Sequence, residues 1–211
     1  MTNASKAASS GARVRHSATD RRQQMIDAAD QIVNRDRSPD LSLREVADMV
    51  GASRALVYAY FPDKLRLLDA VLQQHVDRLL ADGIVQAASR GALVERACAV
   101  SRLYLRHVAQ YGAALELVVR DEPLARQLEG AASRLRGRLY RALARAARLD
   151  LHMPAHEAVA LVQLLAVIPE EAGKHVRMQV LTVPEAEALS DRLMGAAIAA
   201  QVPRPGSGRP G

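Results

Sequence analysis

The sequence predicts an all-α protein, and three observations carry that prediction. Apolar residues recur at helical spacing through most of the chain between residues 19 and 202. Ser, Asp, Gly and Pro mark starts and stops at the edges of those apolar stripes. Strand signals are missing, with no sustained period-2 run of β-branched and aromatic residues to flank a hairpin turn.

The elements follow in order. Residues 1–18 are rich in Ala, Ser and basic side chains and read as a flexible basic arm. Met25, Ile26, Ala29, Ile32 and Val33 form the stripe of a first helix, which "RDRSPD" closes. The stretch from Ser42 to Glu45, "SLRE", has the form of a capping box, in which Ser and Glu satisfy free amides at a helix start. Leu43, Val46, Ala47 and Val50 then face one way, and Gly51 is placed to end the second helix. Ser53 can cap a third, short helix to about Tyr60. Asp63 can cap a fourth from Lys64 to about Ala81, with Leu65, Leu68, Val71, Leu72, Val76 and Leu79 as its stripe. Later helices are expected near 92–110, 124–149, 154–173 and 184–201, and Pro123, Pro154 and Pro184 sit where a first turn tolerates a missing amide. The Pro/Gly tail at 203–211 cannot hold a helix.

Composition narrows the function classes. Hydrophobic residues make up 49% and charged residues 25%, which is globular composition. No apolar run reaches the roughly 18 residues of a membrane span, and the N-terminus lacks a secretory h-region, so a cytoplasmic protein with no membrane partner is expected. Cys98 stands alone among apolar neighbours, which excludes an intramolecular disulfide and reads as a small core residue. His152 and His156 are four apart beside Glu157, but Pro154 is expected to start a helix between them, so no metal site is assigned. No Ser/His/Asp set, shared carboxylate motif or phosphate loop is present. No catalytic residue, enzyme activity or cofactor is therefore expected.

Charge by itself does not point to a partner. The net +6 is not gathered near the N-terminus, where residues 1–64 hold ten Lys/Arg against eight Asp/Glu. Arg134, Arg138, Arg141, Arg145 and Arg148 recur at helical steps and read as a solvated face opposite Leu135, Leu139 and Leu143.

The segment "VGASRALVYAYFPDKL" is more telling. A short helix ending at Gly51, a tight turn at "GAS" and a second short helix make a helix-turn-helix pattern. Val46, Ala47, Val57 and Phe61 would form the small core that holds the crossing. The second helix is then free to enter the major groove of double-stranded DNA. Tyr58 and Tyr60 can reach phosphates on the groove walls with their hydroxyls, and Lys64 adds its charge to the free amides of the next helix start. Ser53, Arg54, Ala55 and Leu56 open the reading helix, and Arg54 or Arg44 could fork onto guanine O6 and N7.

Residues 21–72, "RRQQMIDAADQIV" and then "LSLREVADMVGASRALVYAYFPDKLRLLDAV", resemble the TetR family of bacterial transcriptional regulators. The Ala-Ala of helix 1, the Val-Ala of helix 2, Gly51, Ser53, Tyr58, Phe61 and Lys64 carry the resemblance. Departures fall at Ala55, where the family usually has Gly or Pro, at Leu56, where it has Thr, and at Tyr60, where it has His. Leu56 lacks a hydroxyl for phosphate and can instead meet a thymine methyl. The resemblance implies an N-terminal three-helix DNA-binding domain over 19–64. It also implies a larger helical effector-binding and dimerisation domain over 65–202, and a regulator that binds operator DNA in the nucleoid.

Two expectations concern the larger domain. "HEAVALVQLLAVI" is apolar nearly all round and "EALSDRLMGAAIAA" offers small residues for close approach, so a homodimer through about 154–173 and 184–201 is expected. "SRLYLRHVAQYGAALELV" is the expected wall of a pocket for an unidentified hydrophobic or aromatic effector. Leu103, Tyr104, His107 and Tyr111 line it in this reading, with Arg120 available to an anion. A repressor released by that effector is the leading reading. The alternatives are a DNA-organising helix-turn-helix protein without a ligand, and a helical ligand-binding or enzymatic protein that uses the first domain for association.

Overall fold

The computed structural model describes residues 17–202 apart from residue 129. The expected arm, save Ser17 and Ala18, and the expected tail lie outside the described residues. Among the described residues there are helices and no strand: α1 (Ala18–Asp36), α2 (Leu43–Val50), α3 (Arg54–Tyr60), α4 (Lys64–Ala81), α5 (Ile84–Ala87), α6 (Leu93–Tyr111), α7 (Ala114–Arg120), α8 (Glu122–Gln127), α9 (Ala131–Leu151), α10 (Ala155–Arg177) and α11 (Val183–Ala199).

Local chemistry accounts for most starts and stops. α1 begins with a closed capping box, Ser17 Oγ accepting from the Asp20 amide while Asp20 accepts from the Ser17 amide. Ser53 accepts from the Leu56 amide and Asp63 from the Arg66 amide, so α3 and α4 start where their caps predict. Gly51 ends α2 in the left-handed region at φ 62°, a conformation that costs a residue with a Cβ about 1 kcal/mol.

Three expectations need correction. The "SLRE" box is not closed: Ser42 accepts from the Arg44 amide, but Glu45 turns away to pair with Arg35 at the end of α1. A full opposite charge within reach outweighs a neutral amide. The helix expected over 124–149 is two helices, α8 with its C-cap at Leu128 and α9 with its N-cap at Gly130. Asp69 of α4 lies against Gly130, where a Cβ would collide with its carboxylate, so a distant helix approaches closely at the start of α9. The helix expected over 154–173 runs on to Arg177 and carries Pro169 in its interior.

α1 packs on α2 and α4, and α2 on α3, around Met25, Ile32, Val46, Val57 and Phe61. Phe61 and Met25 are fully buried, each contributing about 1.5–3 kcal/mol by apolar burial. This core does not stop at residue 64. It continues through Leu67, Leu68 and Val71 of α4 to Ala131 and Leu135 of α9. A second core joins α6, α9, α10 and α11, which pack on one another.

Candidate nucleic-acid interface and interior cavity

α3 presents two faces because seven residues make two turns. Val57 points inward and is buried, while Arg54, Ala55, Leu56 and Tyr58 are exposed. Tyr58 keeps 53% of its surface exposed although it is a large aromatic. Arg44, Arg54, Tyr58 and Lys64 line one open depression of about 410 Å3, together with Leu41 and Pro62. Four residues singled out in the sequence thus meet, from three different helices. Ser53, Ala55 and Leu56 lie on the exposed side of α3 outside this depression, and the Ser53 hydroxyl is used as the cap. Tyr60 is half-buried against the first core.

The cations around the depression are lightly held. Lys64 Nζ lies 2.8 Å from Asp40 Oδ1, and this hydrogen bond holds the Asp40 carboxyl below its ordinary range. Arg44 lies 3.9 Å from Asp48. Exposed pairs of this kind contribute about 0–1 kcal/mol, so a phosphate can displace either carboxylate. Asp40 was not singled out in the sequence, since only folding brings it within reach of Lys64.

The interior cavity lies between α4, α6, α7, α9, α10 and α11 and holds about 160 Å3. Its walls are mostly aliphatic, with Tyr104, Glu116, Arg136, Tyr140, Glu170 and Ser101 as the polar residues. Tyr104, one of the pocket residues expected from the sequence, is among them. Leu103, His107 and Tyr111 are not: they face other neighbours, because α6 is rotated so that a different face meets the cavity. The face of α6 that reaches the cavity is Leu93, Ala97, Val100, Ser101 and Tyr104. Leu103 packs against the first core, and the side chain of Arg120 lies outside the described residues.

His107 belongs instead to a buried junction between α1, α4 and α6. Its Nε2 lies 2.8 Å from His75 Nδ1, and His75 Nε2 lies 3.1 Å from Asp30 Oδ1. A consistent tautomer set runs one way, with His107 donating to His75 and His75 to the Asp30 carboxylate. Burial pushes the His107 pKa down to about 4, with the charges of His75 and Arg78 acting in the same direction and Asp30 opposing them. Tyr111 lies under the Arg78 guanidinium, 4.2 Å from ring centre to Cζ. Asn34 of α1 completes the seam by donating to the Tyr111 carbonyl and accepting from the amides of Ala113 and Ala114. Gly112, at φ 83°, makes room for it.

Other sequence features settle into the scaffold. Burial pushes the Cys98 thiol up to about 11, helped by the Asp191 carboxylate, so it is a weakly reactive thiol. His152 ends α9 in a left-handed conformation and His156 is exposed on α10. No cluster of three potential metal ligands occurs among the described residues. The α9 arginines expected on a solvated face, Arg134 to Arg148, are exposed.

The family model described as bacterial regulatory proteins, tetR family, matches residues 26–71, the segment that builds the depression. Residues 26–71 are thus a tetR-family segment. The chain is 39% identical over 67 residues to the nicotine-responsive transcriptional repressor HdnoR of Paenarthrobacter nicotinovorans, covering 32% of this chain and 34% of the relative. It is 38% identical over 68 residues to the transcriptional activator FasR of Mycolicibacterium smegmatis, covering 32% and 31%. The chain therefore aligns with about a third of the length of these curated relatives. One is a repressor and the other an activator, so the shared segment does not set the sign of regulation. The fold extends further. A TetR-like transcriptional regulator from Rhodococcus sp. RHA1 superimposes with a TM-score of 0.70 over 88% of this chain and 99% of its own, at 20% identity.

Proposed function

We propose that this tetR-family chain is a homodimeric, sequence-selective DNA-binding transcriptional regulator and not an enzyme. The observation that carries the reading is the meeting of Arg44, Arg54, Tyr58 and Lys64 around one exposed depression at the recognition helix. Tyr58 and Lys64 position the protein on phosphates; Arg44 and Arg54 reach base edges; Ser53, Ala55, Leu56 and Tyr60 complete the contact. Residues 19–64 form the DNA-binding unit and 65–202 the effector-binding and dimerisation unit, in a cytoplasmic protein.

A single recognition helix reads few base pairs, so a two-fold dimer is needed. α10 offers the surface for it, with Leu164 70% exposed beside exposed Val159 and Val167, and α11 adds Leu193. Repression relieved by a small apolar effector is the proposed mode. The cavity wall includes α4, which also belongs to the DNA-binding core, so a ligand that favours one tilt of α4 changes operator affinity. Mobility shift on DNA fragments flanking the chain's own gene tests the reading, with nonspecific competitor present. A selective band is expected, and binding that competitor abolishes without selectivity would remove it. Sedimentation should give a species near twice 22.8 kDa.

A further inference from the structure

We infer that the cavity takes a small, uncharged, largely apolar molecule carrying one hydrogen-bonding group, and that Ser101 receives that group. The inference rests on the cavity being the effector site, and it adds the ligand's charge, size and anchor.

Charge comes first. The ionisable carboxylates of the wall are Glu116 and Glu170, and its one guanidinium is that of Arg136. Glu116 is engaged by Arg177 at 2.9 Å, which cancels its charge locally. Glu170 and Arg136 are opposite in sign. The wall therefore offers no net charge to an ion, and an ion leaving water for aliphatic walls loses hydration that nothing restores. The arrangement suits neither an organic cation nor a carboxylate.

Ser101 supplies the anchor. It is 1% exposed, lines the cavity, and its Oγ has no hydrogen-bond partner among the described residues. A serine inside a helix ordinarily bonds back to the carbonyl one turn earlier, here Ala97, and that bond is not made. A buried hydroxyl left in this state is costly, so a ligand group that pairs with it gains what the empty protein lacks. On α10, Pro169 has no amide, so the Leu165 carbonyl loses its helical donor, and both residues line the same cavity. Polar capacity is thus placed within an otherwise apolar wall. A volume of about 160 Å3 resembles engineered apolar cavities of about 150 Å3 that hold benzene, which sets the ligand near roughly six to ten non-hydrogen atoms.

Four probes of nearly one shape separate the outcomes: ethylbenzene, benzyl alcohol, protonated benzylamine and benzoate. Their affinities are measured by titration calorimetry on the intact wild-type chain and on Ser101→Ala. The substitution should weaken benzyl alcohol about three- to tenfold, the range of one net hydrogen bond, and leave ethylbenzene unchanged or tighter. Both ions should bind at least tenfold more weakly than benzyl alcohol. The melting temperature of Ser101→Ala should equal or exceed that of wild type, since no native bond is lost. Equal responses of the two neutral probes, or a lower melting temperature, would overturn the Ser101 assignment. Tighter binding of either ion would overturn the uncharged class. Should none of the four bind wild type, the cavity reading itself fails and takes this inference with it.

Discussion

The recognition face and the α1–α4–α6 junction are both polar, yet they hold their polar groups in opposite ways. Around α3, Arg44, Tyr58 and Lys64 are exposed, and the carboxylate partners of Arg44 and Lys64 are loosely attached. At the junction, His75 and His107 are almost fully buried and each ring nitrogen contact is specified by another helix. Exposed pairs cost little to break and leave their side chains free to meet a new partner. Buried ones are costly to disturb, so they fix how two units sit on each other. The chain therefore keeps its adaptable charges on the proposed DNA-binding face, and its rigid ones where α4 and α6 meet α1.

The sharpest way to break this comparison is to attack the core under α3 and then its surface. Phe61→Ala should cost about 3–5 kcal/mol in denaturant unfolding, because it empties the core between α1, α3 and α4. Tyr58→Ala, three residues away, should change stability by less than about 0.5 kcal/mol while weakening DNA binding. A large stability loss in Tyr58→Ala would show that its ring has a structural role.

Acid should expose the junction next. The folded pKa of His107 lies near 4, below its ordinary value of 6.5, so the unfolded chain binds the proton more readily between those values. Stability should thus be full above about pH 6.5 and fall as pH drops through 4, by up to about 3 kcal/mol from this group. The groups facing it are His75, Arg78 and Asp30, with Tyr111 against its ring. In His107→Gln the melting temperature should depend less steeply on pH between 4 and 7. An unchanged slope would move the effect elsewhere.

Smaller effects belong to the surface. Arg54→Ala should cost about 1–3 kcal/mol at one base position, read by binding to a set of single-base operator variants. Lys64→Ala should instead weaken all sequences alike and lower the salt slope by about one unit. If the two variants lost the same affinity on every sequence, the division into reading and positioning residues would be wrong. Smallest is Asp40→Asn. It should leave stability within about 0.5 kcal/mol and raise DNA affinity slightly, because Lys64 no longer has to leave a carboxylate.

What the sequence by itself determined is what a few neighbouring residues can settle among themselves. Ser53, Asp63 and Gly51 act on amides and carbonyls within one turn, so the bounds of α2, α3 and the start of α4 were legible. The inward turn of Val57 and Phe61 followed from helical spacing and apolar chemistry, and Tyr58 and Lys64 stood out because they sit beside that core with polar ends. Tertiary structure decided whatever depended on a distant partner. Glu45 abandoned its local box for Arg35, and Gly130 at the start of α9 lies against Asp69 more than sixty residues away. Tyr104 and Ser101 face the cavity while His107 faces His75, a choice fixed by how α6 is rotated between α4 and α10. Helical periodicity says which residues share a face; only packing says what that face meets.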